Sequence, residues 1–332
     1  MTWLAGLAVA AAAVAVGGGA GEPVPLRGEP LSEPVGLRLL VADDPPFVLD
    51  VDSGRSTRVR GLTRLSSVSV SSAAGKAGVV IAGEDVFAVR GRAAHVTRLG
   101  AARDAVPAAG GRSVWLKTGA GGTSCMLREV RLDGTATGAR SRVSCGSLMQ
   151  PGGSVGLVAR RTTIVDPATG RVLYRSRWGI LAAVGEKVVL AGPGRQLTLV
   201  DVTTRAERRL AWPSIVTYND RPAVDPRGRY VVLAFANPAW PDGRGDTAGQ
   251  VMDAWLLDTR TAELTQVPGM PAFVGLKSTS MEWTSDGRLV LLGEDDRRGF
   301  VAVWRPGASR LAVKTVKLPP RVGYSDSFAP LR

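Results

Sequence analysis

One serine motif is the first place where the sequence could support catalysis. GGSVG at residues 152–156 matches G-x-S-x-G, the pattern of a nucleophile elbow. An elbow needs a strand-to-helix turn, followed later in the chain by an acid and a histidine. Here the flanking residues predict a turn between two strands, and the single histidine, His95, precedes the serine. We therefore interpret Ser154 as a turn residue and not as a nucleophile.

Metal ligands and catalytic carboxylates are equally sparse. One histidine cannot form a histidine-based zinc site, so we expect His95 at the surface, in the last strand of a repeat or at its edge. DVDSG at residues 50–54 has part of the spacing of a calcium loop but lacks the downstream glutamate. Most aspartates fall in predicted turns, where their side chains cap backbone amides. We predict no metal and no cofactor, and we leave acid–base chemistry by paired carboxylates open.

The two cysteines have a spacing that predicts a disulfide. Cys125 and Cys145 flank a strand, a turn around Asp133 and Gly134, and a second strand, and both are equidistant from Thr135. Directly opposed residues of an antiparallel pair have Cα atoms about 4.5 to 5.5 Å apart, which suits a disulfide. The alternative is a pair of unlinked buried thiols. A disulfide would favour an oxidising compartment.

The elements that carry these residues recur along the chain. Seven times an apolar strand runs into a turn and out into a second strand, and the residues before these turns are Asp52, Arg90, Asp133, Asp166, Asp201, Asp258 and Arg305. Their spacing averages about 42 residues, the period of a four-stranded propeller blade. A second set of hairpins lies between them, so each repeat supplies four antiparallel strands, A to D in chain order. The predicted limits are about 65–99 for blade 2, then ends at 146, 178, 212, 268 and 318 for blades 3 to 7.

Blade 1 is incomplete at its own position in the chain. Strands B, C and D are predicted at 37–42, 47–52 and 56–62, but prolines make the preceding segment a poor strand A. The C-terminal segment 322–332 has the form of a strand A, and we expect it to close the ring and remove an open edge. The predicted fold is therefore all-β, a seven-bladed propeller of four-stranded antiparallel blades over residues 35–332.

Three repeat segments carry a family resemblance. EWTSDGRLVLLG at 282–293, AVDPRGRYVVLA at 223–234 and IVDPATGRVL at 164–173 resemble the WD40 and TolB-like propeller superfamily. The Gly-His and Trp-Asp signatures of eukaryotic WD40 repeats are missing. The resemblance implies the fold and leaves the function open, because such propellers include binding scaffolds, lyases, hydrolases and quinoproteins.

The N-terminus and the charge distribution bear on location and partners. Residues 1–20 contain an apolar run suited to a signal peptide or membrane anchor, although no basic residue precedes it, and 21–34 form a proline-rich linker. The alternative for the apolar run is a buried helix. The net charge of +13 is dispersed, with only six lysines among 42 basic residues. This dispersion argues against nucleic acid as a partner and favours attraction to anionic surfaces.

One irregular interval predicts a binding site. Residues 237–250 lengthen the connection between strands B and C of blade 6, and B–C and D–A connections lie on the same face of a propeller. Side chains from this insertion and from the preceding D–A connection are expected to form a binding rim. They are Trp212, Tyr218, Asn219, Asp220, Trp240 and Arg244. The alternative is a solvent-exposed loop with Trp240 packed back on the blade.

Together these observations favour a non-catalytic binding scaffold of the bacterial envelope or exterior, secreted or anchored by its N-terminus. We expect a monomer that binds a protein or an anionic envelope polymer and meets the membrane only through its N-terminal segment. The alternative is a propeller enzyme, a hydrolase or lyase, with carboxylates and arginine at the channel mouth.

Overall fold

The computed structural model describes residues 26, 28–62, 68–91, 93–119, 123–145, 149–213, 217–218, 222–236, 251–270, 272–273, 279–294, 299–319 and 327–331. These residues form β-strands and one short 3-10 helix at Ala109–Gly111. None of the described segments is a helix with the length and apolarity needed to cross a membrane.

The N-terminal half of the chain supplies most of blade 1 and all of blades 2 to 4. In chain order its strands are β1 (Glu29–Pro30), β2 (Arg38–Val41), β3 (Phe47–Asp50), β4 (Arg55–Arg58), β5 (Val68–Ala73), β6 (Ala77–Ala82), β7 (Asp85–Arg90), β8 (His95–Ala101), β9 (Asp104–Pro107), β10 (Ser113–Thr118), β11 (Ser124–Arg131), β12 (Ala136–Ser144), β13 (Met149–Pro151), β14 (Leu157–Ala159), β15 (Thr163–Val165) and β16 (Val172–Arg175).

The C-terminal half supplies blades 5 to 7 and one strand of blade 1. Its strands are β17 (Gly179–Val184), β18 (Lys187–Gly192), β19 (Gln196–Asp201), β20 (Glu207–Leu210), β21 (Thr217–Tyr218), β22 (Ala223–Val224), β23 (Tyr230–Ala236), β24 (Val251–Asp258), β25 (Glu263–Gln266), β26 (Ala272–Phe273), β27 (Thr279–Trp283), β28 (Leu289–Glu294), β29 (Gly299–Trp304), β30 (Ala312–Val316) and β31 (Phe328–Leu331).

The predicted repeat is confirmed, because each predicted blade corresponds to one antiparallel sheet. Blades 2, 3, 4 and 5 are the four-stranded sheets β5–β8, β9–β12, β13–β16 and β17–β20, each with its strands paired in chain order. The sheets begin and end within a few residues of the limits predicted from the hairpin spacing.

Blades 6 and 7 carry additions that the repeat does not predict. Strand A of blade 6 is split into β21 and β22, which both pair with β23, and β26 pairs with the outer end of β24. In blade 7, β1 adds a parallel fifth strand beside β30. Part of the segment predicted as a linker, Glu29–Pro30, therefore pairs with the propeller.

Ring closure by the C-terminal strand is confirmed. β31 lies antiparallel to β2, with Phe328 opposite Val41 and Leu331 opposite Arg38, and it forms strand A of blade 1. Phe328 is fully buried, and Leu331 is buried as well. The Ser327 hydroxyl also accepts a hydrogen bond from the Val70 backbone N–H of blade 2 at 2.9 Å.

The hydrophobic core lies between neighbouring blades. One cluster joins Leu39, Phe47 and Phe328 of blade 1 to Val290 and Val301 of blade 7. Strands with neighbours on both faces read as continuous apolar runs, since neither face meets water. Strands at the outer edge are more polar, as in β20, whose first three residues are exposed.

The turn contacts around blade 1 follow from its closure. Its strands A and B come from opposite ends of the chain, so no hairpin turn joins them, and the A–B turns of blades 2 and 7 meet directly. Gly75 has a φ of +66°, and a Cβ there would overlap the backbone of Ser285 in blade 7. Only glycine fits this left-handed position and this close approach.

The predicted disulfide is present, but the register that predicted it is wrong. Cys125 and Cys145 are linked, with their Cα atoms 4.8 Å apart. The hairpin turns two residues earlier than expected, and an irregularity between Arg128 and Val130 then shifts the pairing. Cys125 therefore lies opposite Val143, and its partner follows the end of β12.

Candidate functional site

The serine motif lies where the sequence predicts, in a hairpin turn. Ser154 is between β13 and β14, strands A and B of blade 4, and its backbone N–H donates to the Gly185 carbonyl of blade 5 at 2.9 Å. His95 begins β8, strand D of blade 2, and is exposed. The two residues sit in different blades, and no helix follows the serine, so the motif is a contact between turns.

The turn aspartates cap backbone amides, as predicted. Asp201 accepts hydrogen bonds from the backbone N–H groups of Thr203 and Thr204 at 3.0 and 2.8 Å, and the Thr204 bond is the main cause of its lowered pKa. A hydrogen bond from the Thr169 hydroxyl likewise lowers the pKa of Asp166. No group of three or more His, Cys, Asp or Glu side chains within the described residues is arranged to bind a metal ion.

The central channel forms a cavity with a volume of about 1080 Å³. It is lined by the A strands of blades 2 to 7 and by several of their A–B turns. Valine, alanine, glycine and proline dominate the wall. Of the described residues, four charged ones also line it, namely Arg161, Asp225, Arg227 and Glu282.

Glu282 is the carboxyl group most altered by this environment. It lies in β27, strand A of blade 7, and forms no hydrogen bond with any described residue. Burial raises its pKa to about 8. Glu282 lines the channel and is partly exposed, and its desolvation favours the neutral acid, which can donate one hydrogen bond as well as accept one.

Asp225 and Arg227 form a second polar group of the channel wall. The buried Asp225 Oδ1 accepts hydrogen bonds from the Arg227 backbone N–H and from its Nε, both at 3.1 Å. The second carboxylate oxygen, Oδ2, is buried without a hydrogen-bond partner among the described atoms. Carboxyl groups and arginines therefore both line the channel, and the described acidic groups form no metal-binding cluster. The alternative prediction of a carboxylate and arginine site at the channel mouth stays a prediction.

The insertion predicted to form the binding rim follows the end of blade 6 where β23 and β24 extend beyond the rest of the blade. β23 ends at Ala236 and β24 begins at Val251, so residues 237–250 follow directly from this two-stranded ladder. β21 pairs with its outer end through Thr217 and Tyr218, the latter opposite Phe235. On the other edge, β26 pairs with the first residues of β24.

Two of the six predicted binding residues, Trp212 and Tyr218, lie within the described chain. The Trp212 ring packs edge-on against the Phe235 ring, with centroids 5.4 Å apart, and Tyr218 is the register partner of Phe235. Trp212 is partly buried in the core between blades 5 and 6. Asn219, Asp220, Trp240 and Arg244 lie outside the described residues. A binding role for the rim stays a prediction.

A buried acid lies at the base of the same extension. Asp253 is fully buried opposite Phe235, and its Oδ1 accepts a hydrogen bond from the Gln266 Nε2 at 2.8 Å. Its Oδ2 has no described partner, and burial raises the pKa of this carboxyl. Burial costs the charged carboxylate more free energy than the neutral acid, and it therefore favours the protonated form of Asp253.

The rim and the charged end of the channel are separate. Trp212 does not line the channel cavity, and Asp225 and Arg227 lie in the A–B turn of blade 6. That turn is at the opposite end of β23 from residues 237–250. Sequence reasoning predicted the rim, which stays a prediction, and it missed Glu282, which lies between Met281 and Trp283 in β27.

Comparisons with known proteins support the fold alone. No family model and no curated protein matches the chain. Prolyl oligopeptidase B from Galerina marginata is similar at 11% identity and a TM-score of 0.50, covering 85% of this chain and 48% of that one. A chain of the mitotic checkpoint complex aligns at 15% identity and a TM-score of 0.48, covering 90% and 99%.

A putative TolB from Agrobacterium tumefaciens aligns at 10% identity and a TM-score of 0.39, over 83% of this chain and 87% of that one. The chain spans about half the length of the matched oligopeptidase. The seven-bladed propeller implied by the resemblance to the WD40 and TolB-like superfamily is the fold observed.

Proposed function

We propose that the protein is a non-catalytic binding scaffold of the bacterial envelope or exterior, which holds a protein or an anionic polymer at the rim of blade 6. The observation that carries the proposal is the extension of β23 and β24 beyond the rest of the blade. It has flanking strands on both edges and ends in residues 237–250. Binding loops are most effective when a rigid scaffold fixes their ends.

The base of the rim is rigid for physical reasons. The ladder between β23 and β24 is continuous from Tyr230 opposite Asp258 to Ala236 opposite Met252. Phe235 is fully buried within it and packs against Trp212. Ordering the ends of the loop in this way lowers the entropy cost of binding.

The proposed location rests on two features. The disulfide between Cys125 and Cys145 suits an oxidising compartment, because cytosolic thiols are kept reduced. The apolar run within residues 1–20 suits export. A net charge of +13 would draw the body toward anionic polymers once outside the cytosol.

The test replaces residues 237–250 with a glycine–serine segment of equal length, alongside the finer change Trp240→Ala. Both variants and the parent are used to capture partners from solubilised envelopes of the native host, with quantification by mass spectrometry. We expect loss of the specifically captured components with an unchanged melting temperature.

The matched control is Thr203→Ala, an exposed residue in a turn on the opposite face, which should capture as the parent does. If the loop replacement captured the same components as the parent, the rim would not be the binding site.

A second function, the propeller enzyme, is favoured by Glu282. A carboxylic acid whose pKa is about 8 can protonate a leaving group near neutral pH, and Arg161 and Arg227 line the same cavity as positive charges. A hydrolase or lyase of this kind should lose activity on any substrate it turns over when Glu282 becomes Gln. A scaffold should capture partners equally well with the same substitution.

A further inference from the structure

We propose that a cleft between blades 6 and 7, on the face opposite the rim, is a binding site for a phosphate group. The cleft has a volume of about 370 Å³ and lies among the A–B and C–D turns of both blades. Its wall contains four arginines, Arg227, Arg229, Arg260 and Arg305. The site is independent of the proposed function, because it shares no residue with the rim.

The positive charge of the cleft is not neutralised by its own ion pairs. Arg227 pairs with Asp225 at 3.1 Å, and Arg229 pairs with Asp258 at 2.6 Å.

Arg305 shares Asp286 with Arg288, at 3.2 and 3.0 Å. Within the described part of the chain, the cleft and its pairs therefore hold five arginines and three aspartates, and the surplus positive charge favours an anion.

Asp258 and Asp286 stay ionised in these pairs. Burial opposes the charge on Asp258, but hydrogen bonds from Arg229 and from the Arg260 backbone N–H outweigh it and lower the pKa of Asp258. The balance at Asp286 is similar, with burial outweighed by Thr284 and Arg288. The pairs thus act as fixed supports for the arginines, and the spare guanidinium N–H groups are left for a ligand.

Those spare donors can be assigned. Arg227 uses its Nε on Asp225, and among the described residues neither of its Nη atoms has an acceptor. Arg229 uses Nε and Nη2 on a single oxygen of Asp258, while its Cζ lies 4.6 Å from the Tyr230 ring centre. The exposed Arg260 side chain donates to no group in the described part of the chain.

A glycine in blade 7 opens the position that Arg227 occupies. The Arg227 guanidinium lies where a Cβ on Gly287 would be, so any larger residue at 287 would displace it. Gly287 also has a φ of +79°, which other residues rarely adopt. The close approach brings the arginine of blade 6 against the turn of blade 7 and forms one wall of the cleft.

The geometry selects the class of anion. Guanidinium groups bind carboxylate and phosphate through paired N–H donors. In this cleft the guanidinium groups of Arg227, Arg260 and Arg305 come from three different turns, so their N–H donors approach a ligand from several directions. A tetrahedral phosphate presents oxygens in more directions than a planar carboxylate does. The cleft is also too small for a folded partner, so the ligand is a phosphate group, either free or within a polymer.

The experiment measures binding by isothermal titration in phosphate-free buffer with three probes, inorganic phosphate, poly(glycerol phosphate) and polyglutamate of similar length. The variants are Arg260→Gln and Arg260→Lys. Arg208→Gln is the matched control, an exposed arginine of β20 that loses the same charge elsewhere. Arg260 is exposed, and its side chain forms no hydrogen bond or ion pair with the described residues, so its variants should keep the melting temperature of the parent.

We expect saturable binding of a phosphate probe that Arg260→Gln weakens by about tenfold or more, the usual effect of losing a charge-assisted hydrogen bond. Arg208→Gln should bind as the parent does. Arg260→Lys should bind more weakly than the parent, because an ammonium lacks the guanidinium fork. Binding of inorganic phosphate alone identifies a free phosphate as the source, and binding of poly(glycerol phosphate) alone identifies polymer phosphodiesters.

Three results would overturn the site. The first is no saturable binding of either phosphate probe. The second is equal weakening by Arg260→Gln and Arg208→Gln, which would mean diffuse attraction by the whole surface. The third is binding of polyglutamate as tight as that of the phosphate probes. Capture of envelope components by the rim is measured separately, so either proposal can fail without the other.

Discussion

Glu282 has a consequence for stability that is independent of any ligand. Its pKa in the folded protein is about 8, against an ordinary value of 4.5. Between these pH values the unfolded chain has lost the proton and the folded chain keeps it. Rising pH therefore lowers the free energy of unfolding, by about 1.4 kcal/mol per pH unit for one proton. Glu282→Gln should reduce the slope by this amount, because glutamine does not ionise, while any slope from the buried Asp253 remains in both proteins.

The measurement is denaturant unfolding of parent and variant at a series of pH values from 5 to 8.5. Glu207→Gln, an exposed glutamate of β20, is the control and should keep the slope of the parent. Parallel pH profiles for the parent and Glu282→Gln would show that the carboxyl is hydrated and ionises normally.

Single residues were predictable where the backbone determines their role. Asp166 and Asp201 cap their own turns, and a turn sequence alone indicates this. Glu282 and Arg260 were not predicted, because their importance depends on which strands and turns of other blades surround them. The repeat period in the sequence assigns a residue to a blade, but it does not show which side chains of the neighbouring blade lie next to that residue.

At the scale of elements, the disulfide joins two adjacent strands of blade 3. Cys125 belongs to β11, and Cys145 follows β12, at a sequence separation of 20. Closing a loop of this length in the unfolded chain adds on the order of 3 kcal/mol. The double variant Cys125→Ser and Cys145→Ser should lose about that much free energy of unfolding, as measured by guanidinium denaturation.

Unfolding of the parent and of the double variant in the presence of a reductant gives the matched comparison. The reductant should destabilise the parent toward the value of the double variant and leave the variant itself unchanged. Identical midpoints for parent and variant without reductant would show that the link does not restrain the unfolded chain. This outcome would also weaken the argument for an oxidising compartment.

Strands were more predictable than their pairing. The hairpin period located every blade, yet the register at the cysteines was wrong, because an irregularity near Arg128 was invisible in the sequence. The extra strands β1, β21 and β26 were missed for a related reason. Two-residue strands such as Thr217–Tyr218 have no period to detect, and they form only because the ladder of β23 and β24 extends to meet them.

At the scale of the whole molecule, the order of the blades follows from local hairpins, but closure requires a contact across the entire chain. The missing strand A of blade 1 was predictable because every other blade had one. The meeting of the A–B turns of blades 2 and 7 at Gly75 was not, since it depends on the absence of a turn between β31 and β2.

The ring closure predicts that removal of residues 328–332 destabilises the protein and promotes association. β31 covers the inner edge of β2, and Phe328 and Ala329 are fully buried. Without β31, the backbone of β2 exposes unpaired N–H and C=O groups that can pair with another chain.

The milder change Phe328→Ala should lower the free energy of unfolding by about 3–5 kcal/mol, because it leaves a cavity in the core. Melting temperature and light scattering measure the two effects. Removal of Arg332 alone is the control, because it leaves β31 whole. A truncated protein that melts with the parent and stays monodisperse would show that blade 1 is stable with three strands.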